Sequence, residues 1–216
     1  MLTQPNESRR MQIVNPSFVV ICGVDGVGKT TIAKKVATQL GYKYVKTPRP
    51  AYQHVRSFYE RPGVSPLARF GFYLGAVFES SEDIKRLLDA GTGVVADRYL
   101  LSLQIYHELL TGRDLSSHIA AWDFLPADLN IVLTAPVRVI QSRLAMRLQT
   151  HFDQDKERDG PLISKLVARF AGGFPATVHV DCSTTPVCEV VDECVRLIRR
   201  IRPSTASISN ATPALI

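Results

Sequence analysis

A short apolar run that ends in a glycine-rich loop constrains this chain more than any other feature. Ser17 to Cys22 (SFVVIC) is rich in β-branched residues and has no polar alternation, the pattern of a strand buried on both faces. It leads directly into GVDGVGKTT, in which Gly23, Gly28, Lys29 and Thr30 match G-x-x-x-x-G-K-[ST]. From Lys29 to Leu40, apolar Ile32, Ala33, Val36, Ala37 and Leu40 recur at the helical period. Strand, glycine loop and helix in that order make a phosphate cradle. Glycines let the backbone wrap close and turn its N–H groups inward, and the helix adds the positive end of its dipole. The expected cradle comprises Gly23, Asp25, Gly26, Val27, Gly28, Lys29, Thr30 and Thr31, with Lys29 on the terminal phosphates of ATP and the Thr30 hydroxyl on Mg²⁺.

Downstream, apolar strands alternate with helical patterns. Further strands are expected at Tyr42–Lys46, Val94–Ala96, Leu129–Thr134 and Thr177–Asp181. Helices are expected at 51–60, 66–90, 100–110, 114–124, 136–147, 161–170 and 186–201. This alternation predicts an α/β fold of the P-loop type, a doubly wound five-stranded parallel sheet with helices on both faces. With 216 residues the chain holds one domain, expected over 17–202, flanked by disordered tails at 1–16 and 203–216. Around 148–160 the apolar periodicity gives way to charges (HFDQDKERDG), the look of a short lid. No apolar run approaches the ~18 residues a membrane-spanning helix needs. Cys22, Cys182, Cys188 and Cys194 form no C-x-x-C pair, and residues 1–16 lack a secretory apolar core, so a reducing cytoplasm is the expected location.

In such sheets ligands gather at the carboxyl ends of the strands. There VVADRY places Asp97 to order a Mg²⁺ shell and Arg98 to take a pair of phosphate oxygens. Arg143 and Arg147 lie four apart on one helix face just before the lid, which itself carries Arg158; such arginines stabilise the charge of a phosphoryl in transfer. Lysine and arginine exceed aspartate and glutamate by 26 to 20, a net +6 that suits either nucleotides or a nucleic acid. The terminal arginines, at Arg9, Arg10 and Arg196 to Arg202, come without aromatic interleaving. On the last helix they alternate with Val195, Leu197, Ile198 and Ile201, as on a solvated face, so no nucleic acid is expected. A nucleotide-dependent switch or nucleic-acid-binding protein is the competing class, distinguished by salt-dependent retention of DNA or RNA without ADP formation.

Taken together, G-x-D-G-x-G-K-T-T, D-R-Y-x-x-S (Asp97, Arg98, Tyr99, Ser102), LNIVLTAP, R-L-x-x-R before a lid and VHVDCSTTP resemble the thymidylate kinase family of P-loop nucleoside monophosphate kinases. The resemblance spans most of Phe18 to Ile201. It implies phosphoryl transfer from MgATP to a nucleoside monophosphate, dTMP first, by a possible homodimer. It also implies an acceptor site of Asp25 near the sugar or its phosphate, Arg49 and Arg98 on that phosphate, Tyr106 on the deoxyribose and Phe72 stacked on the base. Catalytic duty falls to Lys29, Asp97, Arg98, Arg143 and Arg147, and metal binding to Thr30 and Asp97. Family members without an arginine in the P-loop supply it from the lid, and Gly26 occupies that P-loop position here.

Three departures bear on specificity. Ala76 stands where the family has a base-reading arginine, four residues beyond Phe72. His107 replaces a glutamine, and KTPRPAY does not reproduce T-R-E-P-G-G. Lys46 to Ala51 contains no Asp or Glu, so the carboxylate base that a nucleoside hydroxyl acceptor requires is missing there. That favours a monophosphate acceptor. A same-fold kinase of another phosphorylated metabolite, of a modified nucleotide, or of a nucleoside stays open.

Overall fold

A computed structural model describes residues 17–147 and 160–201. The expected tails at 1–16 and 203–216, and the expected lid apart from Gly160, lie outside the described residues.

The five strands are β1 (Phe18–Cys22), β2 (Lys43–Lys46), β3 (Val94–Asp97), β4 (Leu129–Thr134) and β5 (Thr177–Asp181). All pair in parallel in the order β2-β3-β1-β4-β5. Every residue of β1 and β3 is buried, so an unbroken apolar run rather than alternation marks them. The helices are α1 (Lys29–Leu40), α2 (Gln53–Tyr59), α3 (Pro66–Asp89), α4 (Leu100–Thr111), α5 (Ser116–Ala120), α6 (Val137–Arg147), α7 (Gly160–Phe170) and α8 (Val187–Arg200). From β1 the chain moves outward to β2, then back through β3 and across to β4 and β5. Right-handed crossovers therefore put α1 on one face and α3, α4, α6 and α7 on the other. α8 returns to pack on α1. Its buried stripe of Val190, Val191, Cys194, Val195 and Ile198 leaves Arg196, Arg199 and Arg200 outward.

The direction of travel reverses between β1 and β3: the connection leaving β1 runs to β2 on one side, the connection leaving β3 runs to β4 on the other, and in such sheets the ligand crevice lies above the carboxyl ends at that point. Register brings the site residues level there: Ile21 stands beside Asp97, and Lys46 pairs with Asp97 from the far side.

Two elements depart from the pattern reading. The helix expected over 114–124 is limited to α5. Asp114 holds the Ser116 N–H at 2.8 Å and starts it, but Trp122 and Phe124 turn away to pack against Phe78, with ring centroids at 5.0 and 4.5 Å. Ring contacts among the half-buried Phe78 and Phe124 and the exposed Trp122 replace the remaining turn of helix. The helix expected over 51–60 opens as a 3-10 turn at Pro50–Tyr52 before α2, the Tyr52 and Gln53 N–H groups donating to the Arg49 and Pro50 carbonyls. Cys22, Cys182 and Cys194 are buried and Cys188 is exposed, all four as free thiols. Burial pushes the Cys22 thiol up to about 12.

Candidate active site

The loop from Gly23 to Gly28 owes its shape to backbone that only glycine holds without strain. At Gly23 (φ +132°) an added Cβ would stand 2.6 Å from the Leu133 carbonyl oxygen of β4. At Gly26 (φ +87°) it would meet Leu144 of α6 at 2.8 Å. An arginine at position 26 has neither the backbone nor the room, so this P-loop supplies no cation of its own beyond Lys29. Lys29 is 5% exposed. Its Nζ donates to the Val24 carbonyl at 2.9 Å and to Asp25 Oδ1 at 3.1 Å.

Asp25 is the hub. Besides Lys29, its carboxylate takes a bond from Arg98 and one from the Tyr106 hydroxyl at 3.2 Å, while the Asp25 N–H donates to that hydroxyl at 3.0 Å. Arg98 follows β3 with φ +73°, an uncommon value for a side chain of this size. The turn carries its guanidinium back over the loop, 4.9 Å above the Tyr106 ring. Two cations thus converge on one carboxylate at the crevice mouth.

Asp97 is 1% exposed. Its Oδ2 accepts from the Thr30 hydroxyl at 2.5 Å and from the Tyr44 hydroxyl at 3.1 Å, whereas Oδ1 is buried with no partner. A sealed carboxylate oxygen left bare beside a threonine hydroxyl is the donor set a hard cation takes. Thr30 and Asp97 therefore fit Mg²⁺. Tyr44 was not foreseen: burial and the Asp97 carboxylate hold its phenol well above its usual range, so it stays a donor and fixes which oxygen remains free.

The other expected residues are placed apart from this group. Arg49 pairs with Asp83 and Glu79 of α3. Phe72 lies flat on Tyr59, with centroids 5.1 Å apart and planes 10° from parallel. Its neighbour Tyr73 faces His107, 5.2 Å away, and is held by Glu60 and by Arg56 at 3.1 Å. His107 is 3% exposed and pushed down to about 4, first by burial and then by the Arg69 charge, so it is neutral at pH 7. Arg143 gives its donors to the carbonyls of Val27 at 3.1 Å, Cys182 at 2.6 Å and Ser183 at 3.3 Å. In this structure it ties the P-loop to the loop after β5, and its guanidinium is not on the Asp25 group. Arg147 ends α6, its side chain outside the described residues, as is all of Arg158. Tyr73 and Arg69 also escaped the sequence reading, although both fall on the inward stripe of α3 at i and i+4.

A parallel sheet of this order, with a G-x-x-x-x-G-K-T loop at its reversal and a carboxylate facing the loop, defines a P-loop nucleotide-binding fold. The sequence profile of thymidylate kinases matches residues 21–193, and the chain belongs to the thymidylate kinase family. Cytidylate kinases of several Saccharolobus islandicus strains are 29% identical over 140 residues, 63% of this chain and 62% of theirs, so the match spans less than two thirds of those relatives. A putative adenylate kinase of Thermococcus kodakarensis is 28% identical over 189 residues (85% of this chain, 86% of that one). A probable thymidylate kinase of Thermoplasma volcanium is 26% identical over 190 residues (82% and 94%). The solved thymidylate kinase of Candida albicans matches with a TM-score of 0.68 at 18% identity, covering 86% of this chain and 92% of that one, a likeness of fold.

Proposed function

We propose that the protein transfers the γ-phosphoryl of ATP to the phosphate of a nucleoside monophosphate, with dTMP the first acceptor to test. The observation that carries the reading is the Lys29–Asp25–Arg98 junction: two cations held by one carboxylate between the ATP cradle and Tyr106. An acceptor phosphate is already ionised at neutral pH, so the reaction asks for positioning and charge stabilisation, not for a base. Lys29 binds the terminal phosphates of ATP, and Arg98 the acceptor phosphate. Tyr106 packs on the sugar, and the Phe72 and Tyr73 rings with His107 surround the base. Mg²⁺ held by Thr30 and Asp97 would neutralise charge on the ATP phosphates. Arg143 fixes the P-loop against the Cys182–Ser183 loop, the adenine side by family resemblance. Arg49 reaches the acceptor phosphate after leaving Glu79 and Asp83, and Arg147 and Arg158 supply charge from the lid side. A reducing cytoplasmic setting and a homodimer belong to the same proposal.

Relatives named for cytidylate and adenylate, together with Ala76 in place of the family's arginine, keep other bases in contention. An ATP-coupled screen across the ribo- and deoxyribonucleoside monophosphates, with free nucleosides alongside, tests the reading. ADP formation with at least one monophosphate is expected; turnover of free nucleosides alone would sink it.

A further inference from the structure

Arginine inside a protein is normally paired, because a buried cation without a counter-charge costs several kcal/mol. The partly buried arginines around the cleft obey this rule: Arg49, Arg56 and Arg98 each meet a carboxylate, and Arg143 meets three carbonyls. Arg69 does not. It is 8% exposed in the first turn of α3, and its one described side-chain bond runs from Nε to the Tyr59 carbonyl at 2.9 Å. No carboxylate lies within ion-pair reach among the described residues.

Its position is specific. Arg69 sits one helical turn before Tyr73, and its charge is felt by His107, which contacts the Tyr73 ring. His107 follows Tyr106, whose hydroxyl is bonded to Asp25 in the P-loop. Consecutive residues of α4 thus meet the P-loop, through Tyr106, and the Tyr73–Arg69 turn of α3, through His107. One turn beyond Phe72 and Tyr73, where a donor would otherwise come from, stand Ala76 and Val77, both buried and apolar.

We infer that Arg69, reaching in from the turn before Tyr73 instead of the turn after it, reads the edge of the acceptor base through its unpaired guanidinium nitrogens. The inference rests on the acceptor-nucleotide reading above. With the acceptor phosphate held at Arg98, the group that reaches Arg69 is the base. A guanidinium only donates, so it suits a base with a keto oxygen on that edge, such as thymine, uracil or guanine. The amino group of cytosine or adenine sets donor against donor there. Ala76 and Arg69 thus become parts of one substitution, in which the donor is moved along the helix and not lost.

The test is steady-state kinetics of wild type, Arg69→Met and Arg69→Lys with dTMP, dUMP, dGMP, dCMP and dAMP, plus thermal unfolding without ligand. Wild type should prefer the keto acceptors. Arg69→Met should raise their KM by about 10–100-fold, level the preference, and leave the KM for ATP unchanged. Its ligand-free Tm should hold or rise, since an uncompensated charge has gone. Arg69→Lys, which keeps the charge but loses the planar fork, should fall between them and serves if the methionine variant does not fold. A wild-type preference for dCMP or dAMP overturns the inference alone. So does a keto preference that survives in Arg69→Met, a preference in Arg69→Lys undiminished from wild type, or a lower Tm with acceptor and ATP KM shifted together. A wild type that converts no monophosphate overturns the acceptor reading and this inference with it.

Discussion

The two ends of the cleft are built on different principles. At the phosphate end nearly every polar group has a partner before any ligand arrives: Lys29, Arg98 and Tyr106 share Asp25, and Thr30 and Tyr44 share one oxygen of Asp97. At the end proposed for the base, aromatic rings pack on one another, Phe72 on Tyr59 and Tyr73 against His107, and Arg69 has no counter-ion among the described residues. Under the proposed function the contrast follows from what each end would do. Phosphate chemistry is common to every acceptor and is met by a preorganised electrostatic cage. Base choice is a difference between similar ligands and is set by a few donors in an apolar setting, where a mismatch is costly.

The comparison breaks first at the cage. Lys29→Ala and Arg98→Ala should each lower turnover on the order of 10²–10³-fold, measured by ADP release, with the fold intact by circular dichroism. Turnover unchanged in both would remove the site. A smaller effect is expected from Gly26→Ala, which forces a side chain into φ +87° against Leu144. It should cost about 2 kcal/mol, read as a fall of roughly 5 °C in Tm. An unchanged Tm would mean that the loop is not held by α6. At the base end the effect is a pH slope. The His107 pKa drops on folding from 6.5 to about 4, so between those values the unfolded chain binds the proton and the folded chain does not. Stability is complete above about pH 6.5 and is lost as pH falls toward 4, on the order of 3 kcal/mol in all. His107→Gln should flatten that part of the urea-midpoint profile relative to wild type. Parallel profiles would place the imidazole in water.

These two ends also differ in how far the sequence discloses them. β1, β3 and β4 are legible because strands buried on both faces leave unbroken apolar runs, and the P-loop because its glycines and Lys29 keep fixed spacing. Asp25, Asp97, Arg98 and Tyr106 could be placed from motifs that fall at strand ends or one helix away. The base end depends on the rotation of α3 against α4. Phe72 and Tyr73 are adjacent, and only packing decides that the first lies on Tyr59 and the second on His107. Arg49 resembles a phosphate ligand until α3 brings Glu79 and Asp83 to it from some thirty residues away. Tyr44 shows the same gap on the phosphate side, since nothing local to KYVK says that its hydroxyl lands on Asp97.

The most direct test of the central claim follows the phosphoryl itself. Purified protein, ATP labelled in the γ-phosphate, Mg²⁺ and dTMP or another monophosphate are incubated, and the products are separated. The account predicts label in the terminal phosphate of a nucleoside diphosphate, in step with ADP and abolished in Lys29→Ala. Label found only as inorganic phosphate, or on the hydroxyl of a free nucleoside while every monophosphate stays unlabelled, would contradict it.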